Sequence, residues 1–247
     1  MFFVNDLSYY QNQIASLPSH SPLTKLDLFT NDFLLYTWNQ LSLYYSPHNE
    51  WLNEGAKVVI VGITPGWTQM EIAYRTTRDL LIRGTPLIDV ARQAKQAARF
   101  AGTMRNHLIQ MLNQLELHRW LGLRSSEELF ESDLLHTTSF IKYPLFVQGK
   151  NYTGHTPPLS KIPELHTFAM TSFVDELSRI MGKPLIIPLG KSVEAFLLEI
   201  VHQDRLDPDQ CLWHFPHPSG ANGNRTRQFA EHFQQYRDML EAYFKKG

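Results

Sequence analysis

Cysteine is almost absent from this sequence. Cys211 is the single cysteine among 247 residues. A disulfide needs two cysteines, and a zinc or iron–sulfur centre ligated by thiolates needs several, so one chain cannot build either. Cys211 lies in the apolar segment CLWHFP (211–216), where a thiol usually acts as a small buried hydrophobic group. Stability therefore has to come from a packed core, and a chain of this length can bury a sizeable one.

Long apolar runs are also absent. No stretch approaches the roughly 20 apolar residues that cross a bilayer. The segment MFFVNDLSYYQNQ (1–13) has neither the basic start nor the cleavage site of a signal peptide. With 43% hydrophobic and 19% charged residues, the composition is that of an ordinary soluble globular protein. We expect a cytoplasmic protein without a membrane segment.

A strong net charge is missing as well. The formal net charge is −1, which argues against a protein that coats nucleic acid through bulk positive charge. Positive charge is nevertheless concentrated locally, because residues 71–105 contain seven basic and three acidic residues. The basic residues of this segment are Arg75, Arg78, Arg83, Arg92, Lys95, Arg99 and Arg105. Two interpretations stay open: a surface that contacts phosphates, and an ordinary solvated helix face.

Apolar runs and helical patterns alternate along the chain from Lys57 onward. The predicted strands are KVVIVGI (57–63), DLLHTTSFI (133–141), PLIIPLG (184–190) and CLWHFP (211–216). Strands separated by helices are typical of parallel pairing with right-handed crossovers. The sequence therefore predicts an α/β fold: a three-layer α/β/α sandwich with a central four-stranded parallel sheet, forming a single domain over residues 1–247.

Two further segments are predicted to be helical. Residues 1–50 are rich in aromatics, and Leu26–Leu43 carries apolar residues at spacings of three and four, which indicates an N-terminal helical extension. Residues 68–98 form an Arg-rich helical segment with a predicted break at Gly84-Thr85-Pro86. No internal repeat or low-complexity tract interrupts the chain.

The ends of the predicted strands carry the segments that point to a function. Parallel α/β sheets bind ligands beyond the carboxyl ends of their strands. Those ends carry GITPG (62–66), TSFIKYP (138–144), LGK (189–191) and HPSGAN (217–222). Together with RFAGTMRNHLIQML (99–112), these segments resemble, in order, the motifs of the uracil-DNA glycosylase superfamily. GITPG and HPSGAN are most similar to the motifs of its mismatch-specific and single-strand-selective branches.

The resemblance implies a DNA repair enzyme. It would be a base-excision glycosylase, a hydrolase that cleaves the N-glycosidic bond of uracil or a related damaged base with no metal or cofactor. Such a reaction needs base flipping, a positioned water and stabilisation of charge on the departing base. By motif position, Thr64 would position the water, Phe100 would stack on the base and His217 would hydrogen-bond the base oxygen. Ile63 and Ser139 would contact the base.

The remaining motif positions would shape the loops or contact phosphates. They are Gly62, Pro65, Gly66, Lys142, Ser219, Asn222 and Arg225. The HPSGAN loop has only Ala221 at its tip and lacks a large apolar wedge, which favours DNA that is single-stranded or already distorted. The 34 residues from Gly66 to Phe100 exceed the usual family spacing. This added segment could contact phosphates, cover the pocket or bind a partner.

Two positions depart from the family pattern and leave other functions open. Thr64 cannot act as a general base at neutral pH, although its hydroxyl can orient a water. Ser139 lacks the paired donor and acceptor with which an amide reads the edge of uracil. One alternative is therefore a glycosylase-fold protein that binds a nucleobase, nucleotide or single strand without cleavage. Hydrolysis of free nucleosides or nucleotides is a more remote alternative.

A metal site has little support in the sequence. His214 and His217 form an H-x-x-H pattern, but no carboxylate or cysteine pattern completes a zinc site. We therefore expect no bound metal.

Overall fold

A computed structural model of the chain describes residues 6–246, with side chains as far as Lys245. The helices, in chain order, are α1 (Leu7–Ala15), α2 (Lys25–Leu28), α3 (Trp67–Ile82), α4 (Leu87–Ala98), α5 (Thr103–Gln114), α6 (Leu117–Trp120), α7 (Ser126–Glu131), α8 (Pro163–Ser178), α9 (Lys191–Val201), α10 (Arg225–Glu231) and α11 (Phe233–Lys246). The strands are β1 (Leu34–Trp38), β2 (Leu41–Tyr44), β3 (Val58–Gly62), β4 (Leu135–Ser139), β5 (Leu145–Val147), β6 (Lys150–Asn151) and β7 (Leu185–Pro188).

These elements divide into two compact units. The first unit comprises residues 6–52, Thr64–Ala101 and Ile141–Ala169. The second unit comprises Asn53–Ile63, Gly102–Phe140 and residues 170–246. The chain therefore passes from one unit to the other directly after β3 and directly after β4. The single domain over residues 1–247 stays a prediction.

A parallel sheet lies at the centre of the second unit. Its strand order is β4-β3-β7, and Val58 pairs with both Leu135 and Leu185. All residues of these three strands are buried. Burial on both faces is what a near-continuous apolar run such as VVIVG in β3 requires. The mixed α/β class predicted from the sequence is therefore confirmed, while the three-layer arrangement stays a prediction.

The predicted fourth strand, CLWHFP (211–216), is wrong. Cys211 forms an isolated parallel bridge with Ile186, and the Leu212 N–H donates to the Ile186 carbonyl at 2.8 Å. The chain then leaves the extended conformation at His214, whose φ is 67°. A left-handed residue cannot continue a strand, so the pairing stops after the bridge. The parallel sheet therefore has three strands among the described residues.

An antiparallel sheet in the first unit was not predicted. Its order is β1-β2-β5-β6, with Thr37 opposite Ser42 and Leu43 opposite Leu145. The helix predicted over Leu26–Leu43 is wrong from β1 onward, because β1 and β2 form a hairpin that reverses at Asn39 with φ of 51°. Leu41 and Leu43 are buried in this hairpin, and their spacing of two residues is that of a strand, whereas the helix was predicted from spacings of three and four over the longer segment.

The Arg-rich segment 68–98 is helical, as predicted. It forms α3 and α4, which are separated at Gly84 with φ of 74°. The two helices contact each other, and α3 also contacts α1. Tyr74 of α3 is fully buried and its hydroxyl donates to the Tyr45 carbonyl at 2.9 Å. The segment therefore builds the core of the first unit.

None of the helices within residues 6–246 combines the length and the apolar character needed to cross a membrane. The cytoplasmic location stays a prediction.

Candidate functional site

The HPSGAN segment forms a tightly bonded loop in the second unit. The Ser219 N–H donates to His217 Nδ1 at 3.2 Å, and Asn222 Nδ2 donates to the His217 carbonyl at 3.1 Å. Arg225 Nη1 donates to the Ser219 carbonyl at 2.9 Å. Ser219, Asn222 and Arg225 were predicted to shape this loop or to contact phosphates; their hydrogen bonds hold the loop that carries His217, and phosphate contact stays a prediction.

The hydrogen bond from Ser219 decides the tautomer of His217. Nδ1 accepts a hydrogen bond and so carries no proton, which leaves the proton of a neutral ring on Nε2. Burial lowers the pKa of His217, so the neutral ring is favoured at pH 7. His217 therefore offers a neutral Nε2–H donor, held in place from the other side of the ring.

The backbone of Gly190 packs closely against His217. Its φ of 85° and ψ of 166° lie in a region that only glycine adopts readily. A Cβ added here would lie 3.2 Å from the Cβ of His217. The Gly190 N–H also donates to the Phe215 carbonyl at 2.9 Å, which ties the turn before α9 to the start of the histidine loop.

The ends of β3 and β4 bring two other predicted residues together in the second unit. Gly62 pairs with Ser139, and the Phe140 N–H donates to the Gly62 carbonyl at 2.9 Å. Ile63 and Ser139 are both buried, each with 8% of its surface exposed. The Phe140 ring stacks on Phe196 with centroids 4.1 Å apart, which fixes the backbone next to Ser139.

In the first unit, the hydroxyl of Thr64 is engaged by backbone. It donates to the Tyr143 carbonyl at 2.8 Å and accepts from the Leu145 N–H at 2.9 Å. One hydroxyl has one proton and two lone pairs, so a single lone pair is left. Thr64 can therefore accept a hydrogen bond from a water but has no proton to give it.

The Pro-Gly turn after Thr64 is also fixed within the first unit. Pro65 is buried, and Gly66 precedes α3. Asn151 of β6 accepts a hydrogen bond from the Trp67 N–H at 2.9 Å, and its amide nitrogen would lie 3.0 Å from a Cβ on Gly66. A side chain at position 66 would thus displace the contact that anchors the turn.

Glu50 is a partly buried carboxylate of the first unit that shares a hydrogen-bond partner, Tyr143, with Thr64. The Tyr143 hydroxyl donates to Glu50 Oε1 at 2.9 Å, and the carbonyl of the same tyrosine accepts from Thr64. Burial raises the pKa of Glu50, with the nearby charge of Lys142 and the Tyr143 hydrogen bond opposing it. Lys142 Nζ lies 5.7 Å from the centroid of the Tyr143 ring, and Asn49 donates to the Lys142 carbonyl. A carboxylate with a raised pKa is a stronger base than an exposed one.

Phe100, the predicted stacking residue, is 5% exposed and has a left-handed backbone with φ of 47°. It lies next to Ala101, the last residue of this segment of the first unit, shortly before α5. Its role against a base stays a prediction.

Comparison with known proteins agrees with these motifs. The family model for the uracil DNA glycosylase superfamily matches residues 50–241. The chain belongs to this superfamily. It is 44% identical over 239 residues to "Uncharacterized protein YoxB" of Bacillus subtilis (strain 168). The aligned region covers 96% of this chain and 93% of that protein. The crystal structure of Pedobacter heparinus SMUG2 is similar in fold, with a TM-score of 0.50 and 13% identity over 94% of this chain and 97% of the other.

Superfamily membership confirms the predicted resemblance, and the matched range contains every predicted site residue. The second unit brings together Gly62, Ile63 and Ser139 at the strand ends, and His217, Ser219, Asn222 and Arg225 in one loop. The first unit holds Thr64, Pro65, Gly66, Phe100 and Lys142. Their individual roles stay predictions.

The Arg-rich segment is not a continuous solvated face. Arg78 is buried and donates to the carbonyls of Pro18 and His20, and Lys95 is buried and donates to Asn49 Oδ1 at 2.8 Å. Arg75 pairs with Glu71 and Arg92 with Asp89 on the same helices. Most of the apparent positive patch is therefore committed to contacts inside the first unit.

Sequence reasoning missed Glu50 and Gly190. Gly190 lies in the LGK segment that already matched the family, and a glycine opening a helix was the signal for a close approach. Glu50 had no such signal, because it follows a single 3₁₀ turn (Pro47–Asn49) and its Tyr143 partner is 93 residues away in the chain.

No cluster of three or more metal-binding side chains occurs within residues 6–246. His214 Nδ1 instead pairs with Glu194 Oε1 at 2.9 Å.

Proposed function

We propose that this protein is a DNA base-excision glycosylase that hydrolyses the N-glycosidic bond of uracil or a related damaged base. The observation that carries the proposal is the state of His217. Burial favours its neutral ring, its Nδ1 accepts a hydrogen bond from the Ser219 N–H, and its Cβ packs against Gly190, where an added Cβ would lie only 3.2 Å away. Such an oriented donor suits the stabilisation of a departing anion.

His217 acts on the leaving base. When the bond between C1′ and the base nitrogen breaks, its electron pair goes to the base, and negative charge spreads to the base carbonyl oxygens. The Nε2–H of His217 donates to such an oxygen. Because the neutral ring is favoured and its Nδ1 is bonded to the Ser219 N–H, little reorganisation is needed as the charge develops.

Glu50 is our candidate for the group that activates water, and it extends the role predicted for Thr64. The Thr64 hydroxyl already donates its hydrogen bond to the Tyr143 carbonyl, so it can help to orient a water only as an acceptor. The carboxylate of Glu50 can accept a proton from a water while the water oxygen bonds to C1′. The Tyr143 hydroxyl holds that carboxylate in one orientation.

Ser139, Ile63 and Phe100 are assigned to the base itself. Ser139 and its neighbour Gly62 offer one hydroxyl and backbone groups, which is less selective than an amide. We therefore propose a broad preference among uracil and its damaged relatives, on DNA that is single-stranded or distorted.

A protein that binds without cleaving is the second candidate. The engagement of the Thr64 hydroxyl by two backbone groups favours it, since the motif residue expected to position water has a structural task. In that case the His217 loop would still bind a base, a nucleotide or a single strand.

The test is a cleavage assay on the purified full chain. Single- and double-stranded oligonucleotides carrying uracil, hypoxanthine, xanthine or hydroxymethyluracil are incubated with it, and abasic sites are then cleaved with alkali. We expect cleavage of at least one base. His217→Ala should slow that cleavage by about 10²–10³-fold, the usual effect of removing one preorganised donor.

The same variant controls for contaminating glycosylases, because it passes through the same purification. Cleavage that survives unchanged in His217→Ala would contradict the role of this residue. Absence of product with every base, together with retained binding of oligonucleotides, would favour the binding protein over the enzyme.

A further inference from the structure

A groove of about 460 Å³ lies between α5 and α10 in the second unit. One wall carries His107, Gln110 and Gln114 from α5, and the other carries Arg225 from α10. Phe233 closes the end of the groove at the start of α11. Its volume falls in the roughly 300–1,000 Å³ range of small-ligand sites.

This groove adjoins the loop that carries His217. His107 Nδ1–H donates to the Pro218 carbonyl at 2.7 Å, and Arg225 Nη1 donates to the Ser219 carbonyl at 2.9 Å. Two of the groove's side chains therefore bond directly to the residues that follow His217. A molecule bound in the groove would therefore lie beside this loop.

The chemistry of the lining suits a nucleotide. Arg225 and the amides of Gln110 and Gln114 are donors for phosphate oxygens, and the ring of Phe233 offers an apolar face for a base. No carboxylate lines this groove. Two other cavities of the unit mix both charges: Asp207 and Asp209 lie with Lys57 and Lys183 in one, and Glu116, Asp238 and Glu241 lie with Arg119 and Arg237 in the other. The groove therefore presents Arg225 to a phosphodiester with no carboxylate beside it to repel one.

We propose that this groove binds the nucleotide adjacent to the target base in single-stranded DNA. The inference rests on the proposed function for the location of the target base, but it concerns binding and does not require cleavage. It deepens that function by assigning the strand neighbour to α5 and α10. A paired duplex would hold this nucleotide in its stack, so the groove favours an unpaired strand.

The first experiment adds a negative charge to the groove. Gln110 is exposed on α5, so Gln110→Glu should leave the fold intact. Gln203 is also exposed and lies outside the groove, so Gln203→Glu is the matched control. Fluorescence anisotropy with a single-stranded uracil-containing oligonucleotide should show about tenfold weaker binding for Gln110→Glu and no change for Gln203→Glu.

The second experiment removes one base from the ligand. A tetrahydrofuran spacer replaces the nucleotide on the 5′ or the 3′ side of the uracil. One of these positions should weaken binding to the wild type by about tenfold, in line with stacking on an aromatic ring. In Phe233→Ala the same spacer should cost little further affinity, because the stacking surface is already missing.

Equal binding by Gln110→Glu and Gln203→Glu would overturn the inference, as would indifference to the spacer on both sides. Binding restricted to duplex DNA would also overturn it. Wild-type protein that binds with the expected pattern but cleaves no base would refute the proposed enzyme and leave the groove in place. Cleavage together with unchanged binding by Gln110→Glu would support the proposed enzyme and refute nucleotide binding in the groove.

Discussion

Two hydrogen bonds to backbone groups determine which further hydrogen bonds the hydroxyl of Thr64 can make. Thr64→Val keeps the shape but leaves the Leu145 N–H and the Tyr143 carbonyl without their partner. We expect a loss of about 1–3 kcal/mol in the free energy of unfolding, measured by urea titration, because a partner is removed from buried backbone groups. Thr64→Ser should lose much less.

The opposite outcome is also informative. If Thr64→Val unfolds at the wild-type urea concentration but cleaves DNA far more slowly, the hydroxyl acts on the reaction and not on the loop.

Glu50 is predicted to matter for rate and not for stability. Glu50→Gln keeps an acceptor for the Tyr143 hydroxyl but cannot take a proton, so single-turnover cleavage should slow by about 10²–10⁴-fold. Burial raises the pKa of Glu50 and so disfavours its charge, which means that the neutral amide should unfold at the same or a higher temperature. The exposed Glu54, which pairs with Arg179, supplies the control Glu54→Gln.

The wild-type rate should also fall as the pH drops through the raised pKa of Glu50. Glu50→Gln should lack this limb of the pH profile. A rate for Glu50→Gln that matches that of Glu54→Gln would remove Glu50 from the mechanism.

Among elements, the turn between β7 and α9 gives the sharpest prediction. Gly190→Ala places an alanine at a φ of 85°, with its Cβ 3.2 Å from that of His217. We expect a loss of about 1–3 kcal/mol in stability from the backbone alone, and a further loss of cleavage rate because His217 must move. Gly182→Ala has a similar positive φ of 79° but no atom within 4 Å, so it should lose stability without that extra loss of rate.

Equal rates for the two variants, once both are shown to be folded, would separate Gly190 from the function of His217.

The elements differ in how far the sequence could predict them. β3 is five buried residues that end at the Gly-x-Thr-Pro-Gly turn, and this short apolar run before a turn predicts a buried strand. The hairpin of β1 and β2 depends on pairing with β5, which lies about 100 residues later, and no local spacing reports that pairing. The segment after Cys211 has strand composition, but the turn at His214, held by two contacts with Glu194, ends it.

The same distinction holds for the candidate site. His217 and its loop belong to one contiguous motif, so the sequence alone is sufficient to propose them, and their role stays a prediction. Glu50 acquires its environment from Tyr143 and Lys142, which come from a distant loop, and only the folded chain reveals it.

Across the whole molecule, a near-neutral net charge conceals how the basic residues are used. Arg75, Arg78, Arg92 and Lys95 bond to protein partners within the first unit. Few cations of this segment are left for phosphates, so bulk attraction to DNA should be weak. Recognition would then depend on a few specific contacts, such as those at the His217 loop.

The stability of the whole molecule is predicted to fall in mild acid. His48 is buried, and burial followed by the nearby charge of Lys95 holds its pKa well below the usual value; burial also lowers the pKa of His217. A histidine in the unfolded chain has a pKa of about 6.5. Below that pH, His48 and His217 bind protons in the unfolded chain that they do not bind in the folded chain, so the unfolded chain is favoured. Each such histidine removes up to about 1.4 kcal/mol of stability per pH unit, and above about pH 6.5 its contribution is fully present.

Glu50 has the opposite effect, because a carboxyl with a raised pKa binds its proton in the folded state first and so stabilises the folded chain as the pH falls. The loss of stability from the two histidines should exceed this gain from one carboxyl. Urea unfolding between pH 8 and pH 5 measures the slope. His48→Gln lowers stability overall by removing the bond to Ser46, yet its slope below pH 6.5 should be shallower than that of the wild type. The exposed His202 gives the control His202→Gln, which should keep the wild-type slope. If His48→Gln lost stability in acid as steeply as the wild type, the buried neutral histidine would not be the source of the acid sensitivity.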